Sequence, residues 1–305
     1  MSTQSNAIPQ SALTSGAGSC NQISSARRFY WSVKRELWES RSIYVAPLAV
    51  AAVILVGFFV SAIGLPAQVR ATPSITSLQR GAEFAQRFDF AALALMAATL
   101  VVAAFYCLDA LHGERRDRSI LFWKSLPVSD SMTVLSKATI PLLLLPIITF
   151  LITVALHLGM LLLSAAILLL SGQSLAMLSH LSLGLTWTGL LYHLVVGHGF
   201  FYAPFYGWFL LVSAWARRGA FLWALLPPLT VGALEKILFN TSHFALLIGS
   251  HFGLGGEMNP DKASSASAMI FDVPALTNPG LWIGLALTAV FLFAAVQLRR
   301  RQGPV

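Results

Sequence analysis

Six apolar runs set the terms on which this chain can fold. They lie at about residues 43–65, 90–109, 138–170, 187–214, 220–239 and 279–298, and about 20 apolar residues in a helix cross the hydrocarbon core of a bilayer. In lipid every backbone N–H and C=O has to be satisfied within the segment, so runs of this length are read as helices. Only 10% of the residues are charged and 56% are hydrophobic, at a mean hydropathy of +0.73, whereas a soluble domain has roughly a quarter charged. The expectation is an all-α integral membrane protein with six transmembrane helices spread over residues 43–298.

The few charges orient these helices. Six crossings put both ends of the chain on one side. Fifteen basic residues then share that side: Arg27, Arg28, Lys34, Arg35, Arg41, Arg115, Arg116, Arg118, Lys124, Lys137, Arg217, Arg218 and Arg299 to Arg301. Opposite them stand Arg70, Arg80, Arg87 and Lys262, with Lys236 near a helix end. Basic residues collect on the cytoplasmic side of membrane proteins, so both termini are expected to be cytoplasmic. The net charge of +8 is thereby accounted for as a topology signal beside the lipid bilayer, and no nucleic-acid partner is expected.

Residues 1–23 lack the basic start and apolar middle of a secretory signal and are expected to be a disordered cytoplasmic tail. Residues 24–41, SSARRFYWSVKRELWESR, follow a helical period: Phe29, Val33 and Leu37 recur every four residues, with Arg28 and other cations beside them. This reads as a basic amphipathic helix at the inner membrane face. Residues 240–278 form the longest external connection, rich in turn residues and open to a partly re-entrant hairpin. Residues 299–305 are a basic cytoplasmic tail.

Between the second and third runs, residues 110–137 form a cytoplasmic loop with an unusual density of charge: HGERRDRSILFWKSLPVSD carries seven charges in nineteen residues. Ile120, Leu121, Phe122, Trp123 and Leu126 then supply an apolar face for about two helical turns. Asp117 or Ser119 can cap its start, Pro127 ends it, and Ser129 or Asp130 can cap the helix that follows. Such an element is either a membrane-surface helix with its aromatics at headgroup level or a docking helix, because aromatic and Arg side chains are the usual anchors of protein contacts.

LHGERRDRSILFWKSLPVSD followed by VLSK resembles the loop after the second helix in bacterial ABC transporter permeases of the ABC-2 type. A second block, APFYGWFLLVSAWARR followed by FLWALLPP, is similar to the end of the fourth helix and start of the fifth in the same family. The resemblance implies a six-helix ABC-2 (type-2 exporter) architecture that pairs with a second permease copy or paralogue. It implies a separate cytoplasmic ATP-binding cassette ATPase subunit, which holds the ATP and magnesium, leaving this chain with no cofactor of its own. The loop helix becomes the coupling helix, whose docking surface is formed by Glu114, Arg115, Arg116, Asp117, Arg118, Phe122, Trp123, Lys124 and Leu126. Residues 24–41 are similar to the connecting helix before the first span. No GxxxxGK[ST] phosphate loop occurs in the chain, so energy has to come from a partner, and the expected activity is export of a substrate across the bacterial plasma membrane.

Other classes leave weaker traces. A membrane-embedded protease or lipid transferase would carry paired acids or a metal constellation inside its spans; a non-transporting assembly or immunity factor would share the permease fold. His157, His193 and His198 fall in apolar runs. Five residues apart, His193 and His198 are expected on different faces of one helix, and neutral histidines bonded across helices are expected in place of a metal site. Cys20 and Cys107 form no metal or redox motif, and His243 and His251 are a weaker metal candidate. Glu235 near the outer end of the fifth run is read as a snorkelling acid or a gate. Pro141, Pro146, Pro204, Pro227 and Pro228 each remove a helical hydrogen bond and are expected to bend their helices.

Overall fold

The computed structural model describes residues 24–71, 76–125, 128–251 and 279–301; the expected tail at 1–23, Leu126, most of the 240–278 connection and residues 302–305 lie outside them. Among the described residues there is no strand. Among these residues five helices are long and apolar enough to cross a membrane, and a bent helix pair, taken as one span, makes a sixth. The chain is an all-α, multi-pass membrane protein.

Helix α1 (Ser25–Glu39) opens on Ser24, whose hydroxyl accepts the Arg27 N–H. It leads into α2 (Ser42–Ile63), the first span, and a short α3 (Leu65–Ala71). Helix α4 (Ser77–Ala110) starts on a reciprocal capping box between Thr76 and Gln79. It begins well before the apolar run expected at 90–109, because its first turns are polar but properly capped. Two short helices follow, α5 (His112–Arg116) and α6 (Ile120–Ser125). Ser129 then caps α7 by accepting the Met132 N–H.

Helix α7 (Asp130–Leu170) is 41 residues long. Its first ten residues, Asp130–Thr139, precede the apolar part and carry Lys137. A π-helical turn spans Ile140–Leu144. There Pro146 offers no N–H to the Leu142 carbonyl four residues back. After a 3-10 turn at Leu175–His180, α8 (Leu183–Tyr192) continues as a π stretch, His193–Phe201, and breaks by 45° into α9 (Ala203–Trp215). Pro204 sits in the first turn of α9, where a missing N–H costs nothing, so the bend falls just before it at Tyr202.

Helix α10 (Ala220–Phe239) contains Pro227 and Pro228. The carbonyl of Ala224, which Pro228 cannot serve, accepts a hydrogen bond from Trp208 Nε1–H of α9 at 3.0 Å. A neighbouring helix thus repairs the ladder. Helix α11 (His243–His251) packs beside the C-terminal end of α10, and α12 (Pro279–Arg301) is the last span.

The two largest apolar clusters lie at different levels of the bundle. Away from the basic end Phe58, Phe84, Phe88, Leu156 and Leu168 join α2, α4 and α7. Nearer the basic end Ile43, Ala103, Ile140, Leu145, Tyr206 and Leu210 join α2, α4, α7 and α9, with Val33 and Leu37 of α1 packed against them. Helices α9 and α12 pack closely where Gly284 faces Pro204, a Cβ there lying only 3.0 Å from the proline ring. Small residues at such crossings are how membrane helices gain contact when lipid offers no hydrophobic drive.

Candidate coupling site at the basic end

Helix α1 is amphipathic with a sharp division. Ser32 and Glu36 are buried, Phe29, Val33 and Leu37 are half-buried beside them, and Arg28 flanks this face. Tyr30, Trp31 and Trp38 point away and are exposed, with Lys34 Nζ 4.9 Å from the rings of both Trp31 and Trp38. Snorkelling cations over aromatic rings suit a membrane–water boundary. At the end of α1 burial raises the Glu39 carboxyl above its ordinary pKa, against the pull of Arg35.

The buried face of α1 carries one half of a charge cluster. Lys137 Nζ of α7 lies 2.9 and 3.0 Å from the two carboxylate oxygens of Glu36, and 3.0 Å from Glu114 of α5. Arg299 of α12 bonds Glu114 at 2.5 Å and Asp130 of α7 at 3.1 Å. Arg35 pairs with Glu36 at 2.5 Å and stands 3.7 Å from Glu114, while the Tyr106 hydroxyl of α4 donates to Glu36 at 3.1 Å. Glu36, Glu114, Lys137 and Arg299 are each 8% exposed or less. Three acids (Glu36, Glu114, Asp130) meet three bases (Arg35, Lys137, Arg299), so no net charge is buried. That balance is what makes the arrangement tenable, since an unpaired buried ion costs several kcal/mol.

Arg115 has a different task. Its guanidinium donates to the Ala214 and Ala216 carbonyls at 2.6 and 3.3 Å, at the C-terminus of α9. His112 Nδ1 also reaches Ala216 O at 3.1 Å, and the Leu111 and His112 N–H groups both donate to Ser213 Oγ. A cation on the last carbonyls of a helix satisfies them and matches the helix dipole. Helix α5 is therefore clamped onto α9 on one side and onto the charge cluster through Glu114 on the other.

The chain then turns sharply through Arg118, whose φ of 58° is left-handed, and enters α6. Ser119 donates its hydroxyl to the Glu114 carbonyl. Ile120 is buried beneath α6, while Leu121 and Phe122 are 58% and 59% exposed. Trp123 is half-buried: one face receives the Arg35 guanidinium, 3.8 Å from the ring centroid, and its edge meets Phe122 at 4.8 Å. Of the nine residues expected to dock a partner, Arg116, Asp117, Arg118, Phe122 and Lys124 are exposed, Trp123 bridges surface and interior, and Glu114 and Arg115 are turned inward. Leu126 falls outside the described residues.

Sequence reasoning passed over Glu36 and counted Lys137 and Arg299 only among the charges that orient the helices. Glu36 and Lys137 are 101 residues apart in the chain and Glu114 and Arg299 are 185 apart, and no spacing rule joins them. A faint signal exists in Glu36 itself, an acid on the apolar side of a basic amphipathic helix.

The histidines divide. His157 donates from Nε2 to the Phe88 carbonyl at 3.0 Å and accepts at Nδ1 from Trp187 Nε1–H at 3.2 Å, which defines a neutral ring joining α4, α7 and α8. The expectation that His193 and His198 lie on different faces is corrected: their ring centroids are 6.1 Å apart. The π stretch has more residues per turn than an α-helix, which brings positions five apart onto one side. Among the described residues no group of three or more His, Cys, Asp or Glu could hold a metal ion. Glu235 accepts from the Thr241 hydroxyl and from the His243 and Phe244 N–H groups, so it caps α11.

Comparison of the chain with protein-family models, curated proteins and solved structures gave no match. The functional reading therefore rests on the residues and geometry themselves.

Proposed function

We propose that this chain is the membrane-spanning permease subunit of an ATP-binding cassette transporter of the ABC-2 type. In this reading both termini and helices α5 and α6 are cytoplasmic. A separate ATPase subunit docks on α6, a second permease copy or paralogue completes the pathway, and a substrate is exported across a bacterial plasma membrane. The carrying observation is the stack of Arg35 on Trp123. It ties an exposed aromatic helix to a cluster of buried charges that joins α1, α5, α7 and α12.

Helix α6 exposes Leu121 and Phe122 next to a cationic turn, a combination of apolar anchor and charge that favours a protein partner. A displacement of α6 would be transmitted through Trp123 to Arg35, and from there to Glu36, Glu114 and Lys137. Buried ion pairs do not deform gradually, so the helices would move as connected bodies between discrete arrangements. No part of the chain offers a phosphate loop, and the force has to originate in the partner.

Purification of the tagged full chain from its native membrane tests this. The wild type is expected to bring down a stoichiometric chain that hydrolyses ATP, and Phe122→Ala with Trp123→Ala is expected to lose it while the variant still inserts and elutes as the wild type does. An equal yield of that ATPase with the double variant would overturn the docking assignment.

A further inference from the structure

The second irregular region of the bundle leads to an inference that requires only that the helices span a membrane and does not depend on the transporter reading. Between α7, α8 and α12 lies a cleft of about 370 Å³, at the lower end of the 300–1,000 Å³ typical of ligand pockets, about the size for one chain-like molecule. Its walls include Leu142, Pro146, Leu194, Gly199, Leu285 and Ala289.

The cleft has a structural cause. The π turn at Ile140–Leu144 and the π stretch at His193–Phe201 face one another across it, and the 45° bend at Tyr202 carries α9 away from the axis of α8. The two stretches come into close contact at Gly199, where a Cβ would lie 3.1 Å from the Leu142 carbonyl oxygen. Above and below that point the side chains leave space.

The chemistry of the walls selects the occupant. The one hydroxyl in the lining, Thr288, already donates to the Gly284 carbonyl at 2.8 Å, and every other lining side chain is hydrocarbon. The Leu142 carbonyl, which Pro146 cannot serve, is covered by Gly199. A polar ligand would therefore lose its hydration and gain nothing. The mouth is continuous with the membrane-facing belt: Leu143, Ile147, Val195 and Phe200 at its rim are all exposed. Gly199 lies midway along the bent span from Leu183 to Trp215, at the depth of lipid tails. We infer that this cleft binds a single acyl chain of a bilayer phospholipid, which enters sideways between α7 and α8.

The test uses the full chain in nanodiscs containing a phospholipid with a photoactivatable group at the middle of one acyl chain. Peptides covering 142–147, 191–200 and 285–292 are expected to carry several-fold more adduct than the lipid-exposed stretch of α2 around Val53 and Val56. Ala289→Phe, which fills the cleft, should reduce the excess to the α2 level; Val195→Phe at the rim should do the same should the first variant fail to fold. Labelling of the wild-type cleft no higher than that of α2 would overturn the inference. So would an unlabelled cleft in which cysteines placed at position 195 cross-link two copies of the chain, since a second copy would then be the cover.

Discussion

The guanidinium of Arg35 sits over the indole of Trp123, 3.8 Å from its centroid, and the same guanidinium pairs with the buried carboxylate of Glu36. One side chain therefore touches the surface helix α6 and the interior charge cluster at once. A stack of this kind is worth about 0.5–1 kcal/mol at an exposed site and about 2 kcal/mol when desolvated. The strength is enough to keep α6 in register with α1 and small enough for a binding partner to shift it.

Replacement of Trp123 by Ala is expected to cost about 1–2 kcal/mol of stability, while Trp123→Phe, which keeps an aromatic face, should lose less than half of that. Unfolding of the purified variants in detergent, followed by tryptophan fluorescence or calorimetry, measures the difference. A larger loss from Phe than from Ala would contradict the stacking account.

Lys137 supplies the central positive charge. Lys137→Met leaves Glu36 and Glu114 facing each other with fewer counter-charges, and removal of one partner from a buried pair costs about 3–5 kcal/mol. The double variant Glu36→Gln with Lys137→Met should be less destabilised than the sum of its two parents, because each residue's penalty is the other's stranded charge. Denaturant titrations of the three variants give the coupling directly.

Arg118 holds a left-handed conformation at the turn into α6. For a residue with a Cβ this costs roughly 1–2 kcal/mol. Arg118→Gly should therefore be neutral or stabilising to heat, and Arg118→Val, which is β-branched, should lower the melting temperature. A lower melting temperature for the glycine variant would show that the Arg118 side chain has a structural role the geometry does not reveal.

Gly284→Ala places a methyl 3.0 Å from the Pro204 ring, and Gly199→Ala places one 3.1 Å from the Leu142 carbonyl. Both should be destabilised by about 1–3 kcal/mol through overpacking. Gly57→Ala, with nothing within 4 Å of the added atom, is the neutral control in the same melting assay.

The spans were readable because lipid imposes one rule on every residue of a crossing, and apolar length alone reports it. The short helix at Ile120–Ser125 was readable too, since its end and the cap at Ser129 are written in local residue types. The π stretch was not. A run such as HLVVGHGFF has no periodic mark that separates i→i+4 from i→i+5 bonding. The charge cluster was equally hidden: Glu36, Glu114, Lys137 and Arg299 each look like ordinary boundary charges until packing closes them off from water. Glu114 and Arg115 belong to a run of five charged residues, and only tertiary contacts separate these two from their exposed neighbours Arg116 to Arg118.

The central claim is that α6 is the point at which an ATPase grips this chain. A photo-crosslinking amino acid placed at Phe122 in living cells tests it most directly, with Phe59 on the exposed face of α2 as the control position. The account predicts an adduct at Phe122 with a cytoplasmic ATP-hydrolysing chain and no such adduct at Phe59. Labelling of the Phe122 position by a membrane-impermeant reagent added outside the cell, or the same adduct at both positions, would contradict it.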